Sequence, residues 1–423
     1  MIRSNSQGQL KIALVHDYLN EYGGAERVLG VLCEIFPKAP IYTAFAKGDS
    51  PAYRRFRGRK IITSWAQNIP FFANGLYSPL RFLAPWIWGS FSRQLADYDV
   101  VISSASWFVS KGFGKRSGLS SSLNNEKGQT LAKQPVEICY CHTPPRYLYG
   151  YVTASDIKRN FLTRLYALIV NHFMRVYDWE AAQRVDYFIA NSKEVASRIK
   201  KFYRRDSVVI YPPVNVNGSS LMVHWENKKK AMNNERSTMN ENCFLVVSRL
   251  VASKNVDVVV EVCAKLGLPL KVVGTGRELD KLKTLVSRLT MNNQQSTIDF
   301  VGDVSDDELI KLYQNCRAVI FAASQEDFGI VPVEAMAAGK PVIVSAEGGV
   351  LESVVDWPKG KGKCTGVYFD PPTAGSLTLA INNFISLEKK GYFDPKFIRR
   401  HAQKFSKERF RKQIVQFVKS IVR

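Results

Sequence analysis

The chain has 423 residues, 46% of them hydrophobic, which is enough for two or three domains that each bury a full core. Lysine and arginine total 59 against 37 aspartates and glutamates, a formal net charge of +22 that favours phosphates in nucleotides, anionic lipid headgroups or nucleic acid. The 7 cysteines are scattered and odd in number, which speaks against a disulfide framework, and Met1 to Gln9 lacks the apolar run of a secretory leader. A cytoplasmic protein is therefore expected. No RNP, KH, zinc-finger or helix-turn-helix pattern accompanies the charge, so nucleic acid is not expected as a partner.

Short β-rich runs alternate with helical patterns along almost the whole chain, the signature of parallel sheets with crossover helices. In the first half the strands read as Lys11 to His16, Asp99 to Ser106, Val136 to His142, Asp186 to Ser192 and Ser207 to Val214. The second half repeats the scheme at Cys243 to Arg249, Leu270 to Gly276, Ile298 to Asp303, Ala318 to Ser324 and Pro341 to Glu347, with a short GVYFD run ending at Asp370. Polar, aperiodic segments at Lys115 to Gln134 and Asn215 to Asn242 read as exposed insertions. The expected domains are 1–214, a linker 215–242, 243–395, and a basic amphipathic tail 396–423.

Two stretches stand apart from this alternation. Trp65 to Trp88 is rich in aromatic and aliphatic side chains with Arg81 as its one charge, and Pro70, Pro79 and Pro85 exclude a spanning helix. It reads either as a buried helical hairpin or as an apolar surface for a membrane or a lipid-linked acceptor. In the tail, Ser406 is placed to cap a helix that aligns Phe410, Ile414, Phe417, Val418 and Ile421 on one face. That face either returns to the first domain or lies at a membrane interface.

The most informative string is EDFGIVPVE, where Glu326 and Glu334 stand eight positions apart between the apolar run ending at Ser324 and a helix expected to start near Pro332. Open α/β sheets bind ligands at the carboxyl ends of their strands, which is where this string falls. Other punctuated strand ends are VSRLVASKN with Arg249 and Lys254, LKVVGTG with Gly274 and Gly276, HDYLNEYGGAERVL with Gly23 and Gly24, and CHTPPRYLY with His142. The two glycines after the first strand do not match G-x-G-x-x-G, which argues against a nicotinamide dehydrogenase. Cys139, Cys141 and His142 lack a second ligand pair at zinc spacing, so no metal is expected.

Taken together, these motifs resemble the retaining GT-B glycosyltransferases of family 4, across essentially the whole chain apart from the two polar insertions. The resemblance implies two Rossmann-like domains facing a cleft, with a C-terminal helix returning to the first domain. It implies an acceptor on the first domain, a nucleotide-sugar on the second, and hexosyl transfer with retention and without metal or cofactor. Arg249 and Lys254 would bracket the diphosphate, near the Gly274 and Gly276 turn. Glu334 would hold the ribose diol. Glu326 would bind donor-sugar hydroxyls or stabilise positive charge at the anomeric carbon, and the backbone of Phe328, Gly329 and Ile330 would donate to sugar or phosphate. His142 would contact the donor sugar, and Gly23 and Gly24 would line the cleft.

The HTPPRYLY segment most resembles bacterial enzymes of cell-surface polysaccharide and lipopolysaccharide synthesis, often mannosyltransferases using GDP-mannose. A UDP-sugar such as UDP-glucose is the alternative donor. A glycan, free or carried on polyprenyl diphosphate, is the expected acceptor, and an anionic inner-membrane face is a further partner the charge admits. A non-catalytic sugar-nucleotide-binding scaffold is the rival reading. The sequence does not define an oligomeric state.

Overall fold

The structure is a computed structural model and describes residues 10–115, 134–151, 153, 161–216, 242–289, 297–357 and 362–422. Almost all of both polar insertions, and Met1 to Gln9, lie outside the described residues. The chain divides into two compact units, one formed by Met1–Pro213 with Phe410–Arg423 and the other by Val214–Arg409.

The first unit is built on a seven-stranded sheet of order β3-β2-β1-β4-β5-β6-β7, in which every pair is parallel. The strands are β1 (Ile12–His16), β2 (Ile41–Thr43), β3 (Ile61–Thr63), β4 (Val100–Ala105), β5 (Val136–Cys141), β6 (Tyr187–Ala190) and β7 (Ser207–Val209). Side chains alternate across the pleat. Ile12 and Leu14 enter a core with Val28, Leu29 and Leu32 of the helix Gly24–Ile35, while Ala13 and Val15 enter another that contains Trp88 and Phe108. The two three-residue strands β2 and β3 were missed in the sequence because they are too short to show alternation.

The second unit has a six-stranded parallel sheet of order β10-β9-β8-β11-β12-β13. Its strands are β8 (Phe244–Val247), β9 (Leu270–Val273), β10 (Ile298–Gly302), β11 (Val319–Phe321), β12 (Val342–Ser345) and β13 (Gly366–Phe369). Phe244 and Val246 anchor a core closed by the helices Val256–Lys265, Leu279–Leu289 and Ala374–Lys389. Both sheets reverse strand order at one place, between β1 and β4 in the first unit and between β8 and β11 in the second. Such a reversal leaves a crevice outside the carboxyl ends of the strands, where ligands of open α/β sheets bind.

The tail departs from the expected single segment 396–423. It forms two helices with different allegiances. In Pro395–Ala402, which packs on Ile330–Ala337, Arg399 donates to the Ala338 carbonyl at 3.3 Å and the His401 ring meets the Ser353 carbonyl at 2.7 Å. These bonds keep that turn in the second unit. Lys407–Ile421 begins with Ser406 accepting the Arg409 N–H at 3.2 Å and buries Phe410, Ile414 and Val418 in the first unit's core. Its apolar stripe therefore has a protein partner, against the membrane-interface alternative.

Trp65 to Trp88 is not a helical hairpin. It forms a succession of short turns, Trp65–Asn68, Phe72–Leu76, Arg81–Leu83 and Ala84–Gly89, that bury Phe72, Ile87 and Trp88 and expose Trp65, Phe71 and Trp86. The prolines and Gly75 interrupt every run before a helix can propagate. A 24-residue helix, Phe161–Arg184, was not anticipated at all. Its Asp178 pairs in the core with Lys111 and accepts the Tyr149 hydroxyl at 2.7 Å. Loss of water drives the Lys111 ammonium's pKa down, but the Asp178 carboxylate more than offsets this and the net shift is upward.

Candidate functional site

In the second unit, four strand ends supply the candidate donor residues. β8 runs into Ser248 and Arg249 and then the turn Ala252–Lys254; β9 runs into Gly274 and Gly276. The two loops are hydrogen-bonded to one another, Leu250 N–H to the Thr275 carbonyl at 2.8 Å and Glu278 N–H to the Leu250 carbonyl at 3.1 Å. Gly274 adopts φ +121, and a Cβ there would stand 2.0 Å from the Ser248 carbonyl oxygen. The G-x-G turn thus buttresses the backbone that leads to Arg249, an exposed side chain at the rim.

The loop after β11 is tied to the loop after β8 across the strand-order reversal. Asn255 donates to the Ala322 carbonyl at 2.9 Å and to the Ser324 hydroxyl at 2.8 Å, and the Ser324 N–H donates to the Ser253 carbonyl at 3.1 Å. On this frame Lys254 Nζ reaches Glu326 Oε2 at 2.5 Å, with each side chain 18% exposed. The ammonium also sits 5.7 Å from the centre of the Phe321 ring. The strongest candidate cation and the strongest candidate carboxylate are thus one partly shielded ion pair.

Glu326 is also held by its backbone. Its carbonyl accepts the Gly349 N–H at 2.8 Å, and Gly348, at φ +75, lies so close that a Cβ would stand 2.1 Å from the same oxygen. Glu347 accepts the Gln325 N–H at 3.0 Å. The Glu-Gly-Gly turn after β12 was therefore a missed part of the site, and its signal was the glycine pair beside an acid at a strand end.

The helix Ile330–Ala337 starts two residues before the expected Pro332, with Gly329 as its left-handed cap at φ +84. Glu334 consequently stands on its fifth residue, outside the first turn, and the buried Tyr313 donates its hydroxyl to Glu334 Oε2 at 2.9 Å. Phe328 is 2% exposed with its ring centre 5.4 Å from that of Phe405, so its side chain anchors the loop. Ile330 opens the helix and is partly exposed. Tyr313 was missed because one tyrosine on an amphipathic helix carries no motif.

In the first unit, His142 follows β5 and is 8% exposed. Its N–H donates to the Ala105 carbonyl at 2.9 Å, and its own carbonyl accepts from Asn191 at 2.9 Å. The ring continues a buried polar row: His142 Nε2 to Ser104 Oγ at 2.8 Å, Ser104 Oγ to His16 Nδ1 at 3.1 Å, and His16 Nε2 to Glu26 Oε1 at 3.3 Å. Gly23 N–H closes the row onto Glu26 Oε2 at 2.8 Å. Gly23 therefore orients Glu26, while Gly24 begins the helix and is exposed.

Burial, followed by the nearby His16, lowers the His142 pKa to about 4, so the ring is neutral at ordinary pH. Burial alone raises the Glu26 carboxyl, but the His16 hydrogen bond and charge and the Gly23 N–H outweigh it, and the net shift is downward. Beside this row Asp17 accepts from the Ser106 hydroxyl at 2.8 Å, the Trp107 N–H at 2.6 Å and the Ser110 hydroxyl at 2.6 Å. His16, Asp17 and Glu26 all lie in the HDYLNEYGGAER string, where the glycine pair is the only punctuation and the polar residues carry no spacing signal. Cys139 and Cys141 point into an apolar core, and among the described residues no group of three or more His, Cys, Asp or Glu is placed to hold a metal ion.

The architecture is GT-B. Solved structures match it over nearly the full chain: Anabaena HepE in complex with UDP and glucose, with a TM-score of 0.65, 20% identity and coverage of 97% of this chain and 100% of that one. Sucrose-phosphate synthase of Thermosynechococcus elongatus gives a TM-score of 0.69 at 19% identity, covering 98% and 99%. The family model described as glycosyl transferases group 1 matches residues 227–399.

Relatives in sequence agree in class. An uncharacterized glycosyltransferase of Methanocaldococcus jannaschii is 29% identical over 273 residues, 60% of this chain and 68% of that protein. The alpha-1,3/1,6-mannosyltransferase ALG2 of Mus musculus is 25% identical over 307 residues, 67% and 68% of the two chains. The O-antigen chain mannosyltransferase C of Escherichia coli is 27% identical over 244 residues, 56% and 58%. The chain is thus similar to glycosyl transferases of group 1, with mannosyltransferases among the similar proteins.

Proposed function

We propose that this chain transfers a hexose, mannose in the first instance, from a nucleoside diphosphate sugar to a glycan or lipid-linked acceptor in cell-surface polysaccharide synthesis. The observation that carries the reading is the Lys254–Glu326 pair at the strand-order reversal of the second unit. A leaving diphosphate needs cations, and a sugar that becomes oxocarbenium-like needs a carboxylate. Arg249 and Lys254 serve the first need and Glu326 the second. Glu334, oriented by Tyr313, accepts the ribose hydroxyls.

In this reading the bond from the anomeric carbon to the diphosphate oxygen breaks with its electron pair going to the diphosphate. The acceptor oxygen attacks from the same face, its proton passes to a departing phosphate oxygen, and configuration is retained. The charge of the leaving group is met by side chains, with no metal required. The names of the ALG2 and O-antigen relatives favour mannose.

Purified protein offered a panel of GDP- and UDP-sugars should hydrolyse or transfer from GDP-mannose, and Glu326→Gln should abolish turnover with the fold retained. Strong use of UDP-glucose with none of GDP-mannose would overturn the mannose assignment. Donor binding without turnover, for any sugar and acceptor, would turn the reading to a scaffold.

A further inference from the structure

The buried row from His142 to Glu26 is a chain of hydrogen bonds with a direction, and the direction is set at its far end. Glu26 is the third residue of the helix Gly24–Ile35, and its Oε2 takes the Gly23 N–H at 2.8 Å as a capping acid does. A cap needs only that oxygen. The other, Oε1, stands 3.3 Å from His16 Nε2, and all four side chains of the row are buried.

Against the upward pull of burial, the His16 bond holds the Glu26 carboxyl below its ordinary range, so both oxygens accept. His16 must then carry a proton on Nε2. In the neutral ring its Nδ1 is a lone pair, 3.1 Å from Ser104 Oγ, and takes the serine's hydroxyl proton. With that proton committed, Ser104 Oγ meets His142 Nε2 at 2.8 Å as an acceptor. The one proton of the neutral His142 ring is therefore on Nε2, and Nδ1 is left as a lone pair.

We propose that Glu26 is a positioning residue for the transfer: through His16 and Ser104 it fixes the His142 proton on Nε2 and keeps Nδ1 an acceptor. This rests on the glycosyl-transfer reading, in which His142 meets the sugar that is transferred. A lone pair there receives a hydroxyl proton and favours positive charge on a sugar losing its diphosphate, whereas an N–H would oppose that charge. His16, Glu26 and Asp17 are the ionisable groups that bear on the ring. Asp17 stands outside the chain, its oxygens taken by Ser106, Trp107 and Ser110.

Glu26→Gln separates this role from capping, because glutamine also suits the cap position. Its single carbonyl oxygen is required by the Gly23 N–H, so its amide nitrogen must face His16 Nε2 and donate to it. His16 then carries its proton on Nδ1 and donates to Ser104, Ser104 donates to His142 Nε2, and the His142 proton moves to Nδ1. Every bond is kept and every bond is reversed.

The test is ring-nitrogen NMR of the full chain carrying ring-labelled histidine, at about pH 8 where ordinary imidazoles are neutral, with the His142 signals assigned by their loss in His142→Gln. The parent should show His142 protonated on Nε2 and bare at Nδ1, and Glu26→Gln the reverse, with circular dichroism and thermal melting close to the parent's. With whichever of GDP-mannose and UDP-glucose the parent turns over, Glu26→Gln should lower kcat about tenfold or more while KM stays within about twofold. Ser104→Ala cuts the chain midway. Alone it should leave His142 exchanging between both tautomers, and Glu26→Gln added to it should change neither spectrum nor kcat further.

A folded Glu26→Gln whose His142 proton stays on Nε2 overturns the proposal, as does a parent ring protonated on Nδ1. So does a reversed ring with kcat unchanged, or a Glu26→Gln effect that survives in Ser104→Ala. A Ser104→Ala ring as fully protonated on Nε2 as the parent's does the same without any Glu26 variant. A parent that turns over neither sugar nucleotide refutes the transfer reading, while the ring spectra still decide whether Glu26 sets the His142 proton.

Discussion

The Lys254–Glu326 contact permits a double-mutant cycle with a worked sign. Lys254→Ala leaves Glu326 as a partly shielded carboxylate without its ammonium, so the substitution removes one charged hydrogen bond and exposes the donor diphosphate to an uncompensated negative charge. A hydrogen bond to a charged group contributes about 1.5–3 kcal/mol. At about 1.4 kcal/mol per factor of ten, Lys254→Ala alone should weaken nucleoside diphosphate binding roughly 10- to 150-fold.

The double variant, Lys254→Ala with Glu326→Gln, removes the repelling carboxylate as well. It should therefore bind nucleoside diphosphate better than Lys254→Ala alone, with a coupling of about 1 kcal/mol or more. Isothermal titration with the free nucleoside diphosphate reads binding without requiring turnover, and denaturant unfolding of the same four proteins gives the coupling in stability. Effects that add within about 0.3 kcal/mol in both measurements would refute the view that the two side chains act as one device.

Gly274→Ala must move the Ser248 carbonyl, 2.0 Å from the new methyl carbon, so unfolding free energy should fall by about 2 kcal/mol or more and donor affinity should fall with it; an unchanged melting midpoint would contradict this. Tyr313→Phe leaves the fold and removes one bond to Glu334, and nucleoside diphosphate affinity should drop about three- to tenfold while Tyr313→Leu also destabilises. His142 has a folded pKa near 4 against 6.5 for the ordinary ring, so the unfolded chain binds the extra proton first and this contribution to stability is lost as pH falls from 6.5 toward 4. Buried Glu137, raised to about 7, acts oppositely and loses its contribution as pH rises from 4.5 through 7. The difference between parent and His142→Gln unfolding curves isolates the first, and it should change by about 1.4 kcal/mol per pH unit within that window.

What the sequence disclosed and what it concealed divide along a physical line. The strand runs were legible because strands buried on both faces are continuous apolar segments, and the strand ends were legible because glycines and charges interrupt them. That was sufficient to find Lys254 and Glu326 separately. Their pairing was not legible. It depends on the loops after β8 and β11 meeting at the strand-order reversal, and order in a parallel sheet is set by long-range packing. Tyr313 and Asn255 were hidden for the same reason, since each acts only through a partner on another element.

The helix Phe161–Arg184 shows a different kind of blindness. Periodicity analysis assumes that the apolar stripe faces a core, and this helix has apolar residues both inside and out, so its pattern carries little contrast. Small Ala181 lets it approach Gly112 closely, and the paired Asp178 fixes its rotation, which leaves the large residues no inward position. An exposed stripe enforced by the inner packing, bordered by Arg164 and Arg175 and continued by exposed Glu180 toward the end of the helix, is a feature the fold maintains.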